Sequence, residues 1–254
     1  MSDPTPIRAV LLDLGDTLWP GPRSPRRLRP AFEAIRRELA ARYGPEVPGA
    51  ASLEERITRH VGRLLRRHRE REPETEADWE HAMTAALAAL SFWPGPDFVR
   101  WAVEQWCAAD AAGTAVEPSK LAVLAALRER GLRLAVVSNT VTPPSFMDRF
   151  LAEQGVLPYL SARAYSSAVG YRKPHPRIYQ AALDGLLVPA AEAVFVGDDP
   201  QGDVAGPQAL GMRTVLTREY RQGPPEGGPR PDAVIQRLEE LPAVLERMQA
   251  GGDA

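Results

Sequence analysis

Short apolar runs of strand length recur along the chain and predict a buried sheet. They are rich in valine and leucine, and each is bounded by polar or turn-forming residues. Strands that form continuous apolar runs are typical of parallel sheets covered on both faces. The clear runs span residues 9–14, 132–137, 193–196 and 213–216, and weaker ones span 162–166 and 233–235.

Segments with helical spacing of apolar residues lie between or after these runs. Strands that alternate with helices predict an α/β fold with an open, mostly parallel sheet and helices on both faces. These helices are predicted at residues 120–130, 145–154, 176–186, 204–210 and 238–248.

The stretch between the first and second predicted strands contains helical patterns only. Proline and glycine breaks separate its helices, which are therefore expected to pack as an all-α insert. We predict a core formed by residues 1–20 and 115–254, and a helical insert at residues 21–114. The insert helices are predicted at residues 25–42, 53–71, 75–90 and 96–111, and residues 223–231, rich in proline and glycine, are predicted to form an exposed loop.

Composition and charge exclude several function classes. The 254 residues are 44% hydrophobic and 25% charged, and the net charge is −2. This balance gives no field that attracts nucleic acid or an anionic membrane, and no apolar run reaches membrane-spanning length. We therefore expect neither as a partner, while the sequence indicates no oligomeric state. A helical face with four arginines has the pattern of a solvated surface: Arg56, Arg59, Arg63 and Arg67.

Cysteine content bears on the compartment. The single cysteine, Cys107, excludes an internal disulfide, which fits a reducing environment. The start of the chain runs from a short polar segment into a buried strand, without the pattern of a secretory signal. A cytoplasmic location is therefore expected.

Polar side chains occupy the carboxyl ends of the predicted strands. Asp13 ends the first strand, Ser138 follows the second, and Asp198 and Asp199 follow a later one. Lys173 lies in a loop before the helix that leads into that later strand. Because ligands bind at this edge of an open α/β sheet, we expect these groups to converge.

The converging groups suit phosphoryl transfer. Asp13 can act as the nucleophile and form an aspartyl-phosphate. One oxygen of Asp13, a backbone carbonyl shortly after it and Asp198 suit Mg²⁺, which prefers oxygen ligands. Ser138 and the following amide can bind a phosphate oxygen. Lys173 can neutralise the phosphate and the crowded carboxylates, which would otherwise raise one another's pKa.

Four segments, in order and at comparable separations, resemble the four motifs of the haloacid dehalogenase-like superfamily. They are DLGDTL at residues 13–18, SNT at 138–140, GYRKPHP at 170–176 and GDDPQGD at 197–203. The resemblance implies a Rossmann-like core with a helical cap inserted between the first and second motifs. It also implies a Mg²⁺-dependent phosphatase that acts on a small phosphate ester.

The resemblance carries roles onto individual residues. The implied catalytic residues are Asp13, Ser138, Lys173 and Asp16, and the implied substrate-binding residues are Ser138, Asn139 and Lys173. The implied metal ligands are Asp13, the Gly15 carbonyl, Asp198, Asp199 and Asp203. Of the last two aspartates, one is expected to ligate through water or to orient Lys173, and the other to cap the following helix.

The first motif departs from the family pattern at Gly15. The family has an aspartate there that protonates the leaving oxygen, whereas here Asp16 stands one place later. Three alternatives follow: water or a cap residue donates the proton, Asp16 swings into the role, or the protein is a weakened phosphoryl-ligand-binding scaffold. We prefer the first, because side chains alternate along an extended chain and Asp16 then points elsewhere unless the backbone coils.

A 2-haloacid dehalogenase is the nearest enzymatic alternative, since related enzymes also use a carboxylate nucleophile. That reaction attacks carbon and does not need a Mg²⁺ site. The cluster of Asp198, Asp199 and Asp203 would be a costly concentration of charge without a cation. The sequence therefore favours the phosphatase.

Overall fold

A six-stranded parallel sheet forms the centre of the computed structural model, which describes residues 5–21, 28–221 and 228–250. The strand order is β3-β2-β1-β4-β5-β6, and every neighbouring pair is parallel. The strands are β1 (Ala9–Leu12), β2 (Arg133–Ser138), β3 (Leu160–Tyr165), β4 (Ala193–Gly197), β5 (Arg213–Thr217) and β6 (Ala233–Ile235).

Helices connect the strands and cover both faces of the sheet. Between β1 and β2 lie α1 (Arg29–Tyr43), α2 (Ala50–Arg71), α3 (Trp79–Ala88), α4 (Pro96–Ala111) and α5 (Pro118–Glu129). After β2 come α6 (Pro144–Glu153), α7 (Ser166–Val169), α8 (Pro176–Leu186), a π-helical turn (Pro200–Ala205), α9 (Gly206–Ala209) and α10 (Leu241–Gln249).

Alternate residues of the central strand face opposite layers of helices. Val10 and Leu12 pack in a cluster with apolar residues of α5 and α10, whereas Ala9 and Leu11 pack in a cluster with α8. All four are fully buried, and complete burial of a leucine contributes about 1.5–3 kcal/mol. Burial on both faces explains why the strands are continuous apolar runs, and the predicted fold class is confirmed.

Several predicted boundaries differ from the structure. The helix predicted at 75–90 begins only at Trp79, because the Asp78 side chain caps its first turn by accepting from the His81 N–H. In place of the helix predicted at 204–210, the π-helical turn and α9 follow β4. The first residues of the helix predicted at 25–42, and most of the loop predicted at 223–231, lie outside the described residues.

Helices α1–α4 share an apolar cluster that also includes two residues of the core, Phe146 and Phe150 of α6. Trp19, just after β1, contacts Phe150 edge to face with ring centroids 5.5 Å apart. The insert therefore packs against α6 in addition to the contacts among its own helices. Its division from the core as a separate cap domain stays a prediction.

A second attachment joins the insert to the loop before α8. Thr75 pairs with Tyr171 in an antiparallel bridge, and the Arg172 N–H donates to the Glu74 carbonyl at 2.8 Å. The buried carboxylate of Glu76 also accepts from Ser166 and from the Arg172 guanidinium. The segment between α2 and α3 is therefore fixed to the loop that carries Lys173.

The strand order places a crevice at one edge of the sheet. The chain moves from β1 outward to β2 and β3, then returns to β4 on the other side of β1. Ligands bind outside the carboxyl ends of the strands at such a switch point. No helix within the described residues is long and apolar enough to cross a membrane.

Candidate active site

The predicted residues do converge at the switch point. Asp13 directly follows β1, and its N–H donates to the Val196 carbonyl of β4 at 2.9 Å. Ser138 is the last residue of β2, and Asp198 directly follows β4. All three side chains are nearly buried although they are polar. Buried polar groups are costly unless partnered, so their placement at one rim indicates a built site.

Lys173 connects two of the aspartates. Its Nζ lies 2.7 Å from an oxygen of Asp13 and 2.7 Å from an oxygen of Asp203. Burial disfavours the charged ammonium, but attraction to the two carboxylates outweighs burial and holds the pKa of Lys173 above its ordinary value. The lysine is therefore charged and offsets part of the negative charge, as the sequence predicted.

The carboxylates themselves are harder to ionise than in water. Burial raises the pKa of Asp13 to about 7, because its effect and that of nearby Asp203 exceed the lowering by Lys173. Burial and Asp203 likewise raise the pKa of Asp198 to about 6, against the lowering by Arg221. A cation bound among these groups would favour their ionised forms.

Three carboxylates form a group that fits a divalent cation. Oxygen atoms of Asp13, Asp198 and Asp203 all lie within 4.8 Å of one another. Carboxylate oxygens are the ligands that Mg²⁺ prefers. The close approach depends on Gly197, since a Cβ there would lie 2.2 Å from an Asp203 oxygen. The donor set thus fits the predicted metal.

The remaining two aspartate predictions resolve into different positions. Asp203 is fully buried, and its second oxygen accepts from the Asp199 N–H at 2.9 Å, so it orients Lys173 from within the group. The Asp199 carboxylate accepts from the Gly202 N–H at 3.0 Å and caps the π-helical turn. Asp199 is outside the three-carboxylate group, and its role as a metal ligand stays a prediction.

The role of Asn139 in substrate binding stays a prediction, and its side-chain amide is already engaged by the backbone of Lys173. Its side-chain oxygen accepts from the Lys173 N–H at 2.7 Å, and its amide nitrogen donates to the Lys173 carbonyl at 3.1 Å. Both ends of the amide thus hold the backbone of the lysine. The contact fixes Lys173 relative to β2, so the Asn139 side chain positions the lysine.

The chain turns back on itself after Leu14. The Leu18 N–H donates to the Leu14 carbonyl at 2.8 Å, and Asp16 adopts a left-handed φ of 54°, which aspartate tolerates better than most residues. The Asp16 carboxylate accepts from the Gly21 N–H at 2.7 Å and does not line the pocket. The backbone coils, yet this contact disfavours the acid role of Asp16, which stays a prediction.

A cavity of about 930 Å³ lies between the rim and the end of α4. From the rim it is lined by Asp13, Gly15, Ser138 and Lys173, and from the insert side by residues 109–115. Its walls thus come from both parts of the chain, as expected for a site that an insert encloses. The cavity is large enough for a small metabolite.

Sequence reasoning missed Arg221 at this cavity. Its Nη1 lies 3.1 Å from an oxygen of Asp198 and 3.6 Å from one of Asp199. The same rule that singled out the ends of β1, β2 and β4 applies to the segment after β5. No local motif marks this arginine, so position after a strand was the available signal.

A family model described as haloacid dehalogenase-like hydrolase matches residues 7–211. The chain therefore belongs to the haloacid dehalogenase-like hydrolase family, and the resemblance found in the motifs is confirmed. In solved structures, a 2-haloacid dehalogenase from Pseudomonas syringae superposes with a TM-score of 0.67 and 25% identity, over 95% of this chain and 99% of that one.

The similar curated proteins include several named as phosphatases. A phosphoserine phosphatase of Thermus thermophilus is 35% identical over 61% of this chain and 68% of its own length. A plasmid phosphoglycolate phosphatase of Cupriavidus necator is 39% identical over 51% of this chain and 55% of its own length. A glyceraldehyde 3-phosphate phosphatase of Methanopyrus kandleri is 27% identical over 95% and 98%.

The raised pKa values predict that protons compete with Mg²⁺. Below about pH 6 both Asp13 and Asp198 are largely protonated, so we expect Mg²⁺ affinity to fall by at least about tenfold between about pH 8 and about pH 5.5. Isothermal titration calorimetry with Mg²⁺ at the two pH values measures this change. Equal affinities would contradict the buried geometry of the group.

The same groups set the pH dependence of stability without metal. Their folded pKa values lie above the ordinary aspartate value of 3.8, so the folded protein binds protons more tightly than the unfolded chain between about pH 4 and about pH 7. The free energy of unfolding of chelator-treated protein is therefore expected to decrease as pH rises through that window. Urea unfolding at several pH values tests the sign.

Proposed function

We propose that this chain is a Mg²⁺-dependent phosphatase that hydrolyses a small phosphorylated metabolite through an aspartyl-phosphate on Asp13. The observation that carries the proposal is the contact of Asp13 with the charged Lys173 beside a three-carboxylate group. The class of phosphoric monoester hydrolase is supported by the phosphatase relatives, whose names suggest small substrates. The single cysteine supports a cytoplasmic location.

The residues divide the reaction between them. An oxygen of Asp13 bonds to phosphorus as the ester P–O bond breaks and the leaving oxygen takes a proton. Lys173 and the Ser138 hydroxyl bind the non-bridging oxygens. Asp13, Asp198 and Asp203 would hold the divalent cation, which would offset the charge of those oxygens. Water then attacks phosphorus, which releases phosphate and regenerates the carboxylate.

The proton for the leaving oxygen comes from water or from a group of the insert. Gly15 has no side chain to donate it, and the Asp16 carboxylate is bound to Gly21. Phosphate esters with good leaving groups, which scarcely need protonation, are therefore expected to be hydrolysed faster. Helices α1–α4, which we propose form a cap, would exclude bulk water from the cavity during phosphoryl transfer.

Dehalogenase structures share this fold, but the charge at the site argues for the phosphatase. Asp13, Asp198 and Asp203 carry three negative charges in the ionised state, against the positive charges of Lys173 within the group and of Arg221 beside Asp198. A site for attack on carbon has no need for that excess. A divalent cation neutralises it and supports phosphoryl transfer.

Metal removal tests the proposal. Turnover of p-nitrophenyl phosphate is expected to fall by about 10²-fold or more in a chelator and to return when Mg²⁺ is added. The reason is that the cation would lower the free energy of the transition state by several kcal/mol through its attraction to the developing charge. Release of p-nitrophenolate is the readout. Chloride release from 2-chloropropionate serves as the comparison reaction. Turnover that is insensitive to chelator, or chloride release in its place, would sink the phosphatase assignment.

A further inference from the structure

A buried lysine outside the catalytic group has no role in the proposed chemistry. Lys120, in α5, is one of two lysines in the chain and is fully buried. Its Nζ contacts the carboxylate of Glu219 and lies 3.1 Å from both oxygens of Glu239. A buried ammonium is unfavourable unless its partners are well placed, so the two glutamates are held against Lys120 by this ion pairing.

The cluster holds the segment that follows β5. The other oxygen of Glu219 accepts from the Leu238 N–H at 2.8 Å, and the Arg218 N–H donates to the Ile235 carbonyl at 2.9 Å. The chain is thus fixed on two sides as it leaves the sheet. Arg221, two residues after Glu219, is directed from this fixed point to the cavity.

Arg221 supplies an accessible positive charge to the cavity. Among the described residues that line it, Lys173 and Arg221 are the basic ones, and Lys173 is buried between two carboxylates. The side chain of Arg221 is 55% exposed and contacts oxygens of Asp198 and Asp199. A cation held by Asp198 would compete with the guanidinium for that carboxylate and would leave Arg221 available to a ligand.

We propose that Arg221 binds a carboxylate of the substrate, so that the enzyme selects phosphate esters that carry a carboxylate near the ester oxygen. This rests on the phosphatase function proposed above. The planar guanidinium already contacts carboxylates here, and its fork fits a carboxylate through two parallel hydrogen bonds. Two further charged lining groups, Asp110 and Glu117, are acidic and would repel a substrate carboxylate placed beside them.

Ligand binding to the non-hydrolysing Asp13→Asn protein tests the proposal independently of turnover. The matched probes are 2-phosphoglycolate and 2-hydroxyethyl phosphate, which differ in one carboxylate, each titrated with Mg²⁺ present. We expect 2-phosphoglycolate to bind about 10–100-fold more tightly, as for a charge-assisted hydrogen bond. Adding Arg221→Gln is expected to remove that preference and leave the affinity for 2-hydroxyethyl phosphate within about twofold.

The control is Arg130→Gln, which removes a surface arginine that pairs with Glu246 away from the cavity. It is expected to keep the full preference for 2-phosphoglycolate. Equal affinities of the Asp13→Asn protein for the two probes, or equal losses of both upon Arg221→Gln, overturn the role of Arg221 while phosphate binding stands. If neither probe binds to the Asp13→Asn protein, the phosphatase assignment is overturned and this proposal with it.

Discussion

Replacing Asp13 with asparagine is expected to lower turnover of p-nitrophenyl phosphate by about 10⁴-fold or more, the scale seen when a catalytic nucleophile is removed. Asparagine keeps the size of the side chain and an oxygen that can accept from Lys173, which lies 2.7 Å from the aspartate. The amide cannot form the acyl phosphate that we propose as the intermediate. Steady-state kinetics with saturating Mg²⁺ measure the loss.

A matched variant separates this loss from a general effect of the substitution. Asp184 lies on α8 and accepts from Gln180 on the surface, so Asp184→Asn is expected to retain the original turnover. The Asp13 variant is expected to unfold at the same temperature or higher, because it removes a buried charge whose ionisation burial opposes. An Asp13→Asn protein that keeps a tenth of the original turnover would disprove the nucleophile assignment.

Replacing Gly15 with aspartate is expected to raise turnover of alkyl phosphates by about 10²–10⁴-fold, the usual contribution of a general acid. Gly15 lines the cavity, and a Cβ added there meets no other atom within 4 Å. The new carboxylic acid can therefore be placed without displacing neighbours. Aryl phosphates, whose leaving groups scarcely need a proton, are expected to gain little.

Turnover plotted against leaving-group pKa gives the measurement. In the original protein the rate is expected to fall steeply as the leaving-group pKa rises, and Gly15→Asp is expected to flatten that dependence. Gly15→Asn has the same shape without an acidic proton and serves as the control. A flat dependence in the original protein, or an equal gain from asparagine, would show that the missing proton donor at Gly15 does not limit turnover of alkyl phosphates.

The sheet and its functional edge could be predicted because they follow from short-range patterns. Burial on both faces makes β1 and β4 continuous apolar runs, and the chain leaves each of them at an aspartate. Parallel strands bring the residues at their carboxyl ends to one edge of the sheet, whatever conformation the loops adopt. Asp13, Ser138 and Asp198 were therefore placed at one rim from the sequence, together with Lys173.

The contacts that the sequence did not predict depend on loop geometry that no periodic pattern encodes. Asn139 is predicted as a substrate ligand because it follows Ser138 in the second motif, and in the structure its amide holds the Lys173 backbone. Asp199 and Asp203 are equivalent by position in the motif, and the π-helical turn separates them into a cap and a lysine partner. Arg221 reaches the cavity through Glu219, whose partner Lys120 is 99 residues away in the chain.

The pairing of Thr75 with Tyr171 has a consequence for how a substrate reaches the cavity. Swinging α2 and α3 away from the sheet would pull, through two backbone hydrogen bonds, on Gly170 and Arg172, just before Lys173 in the chain. Such a motion would withdraw the ammonium from Asp13 each time a ligand passed. A ligand is therefore expected to enter where residues 112–115, which follow α4, border the cavity, while the Thr75 segment stays attached to the loop that carries Lys173.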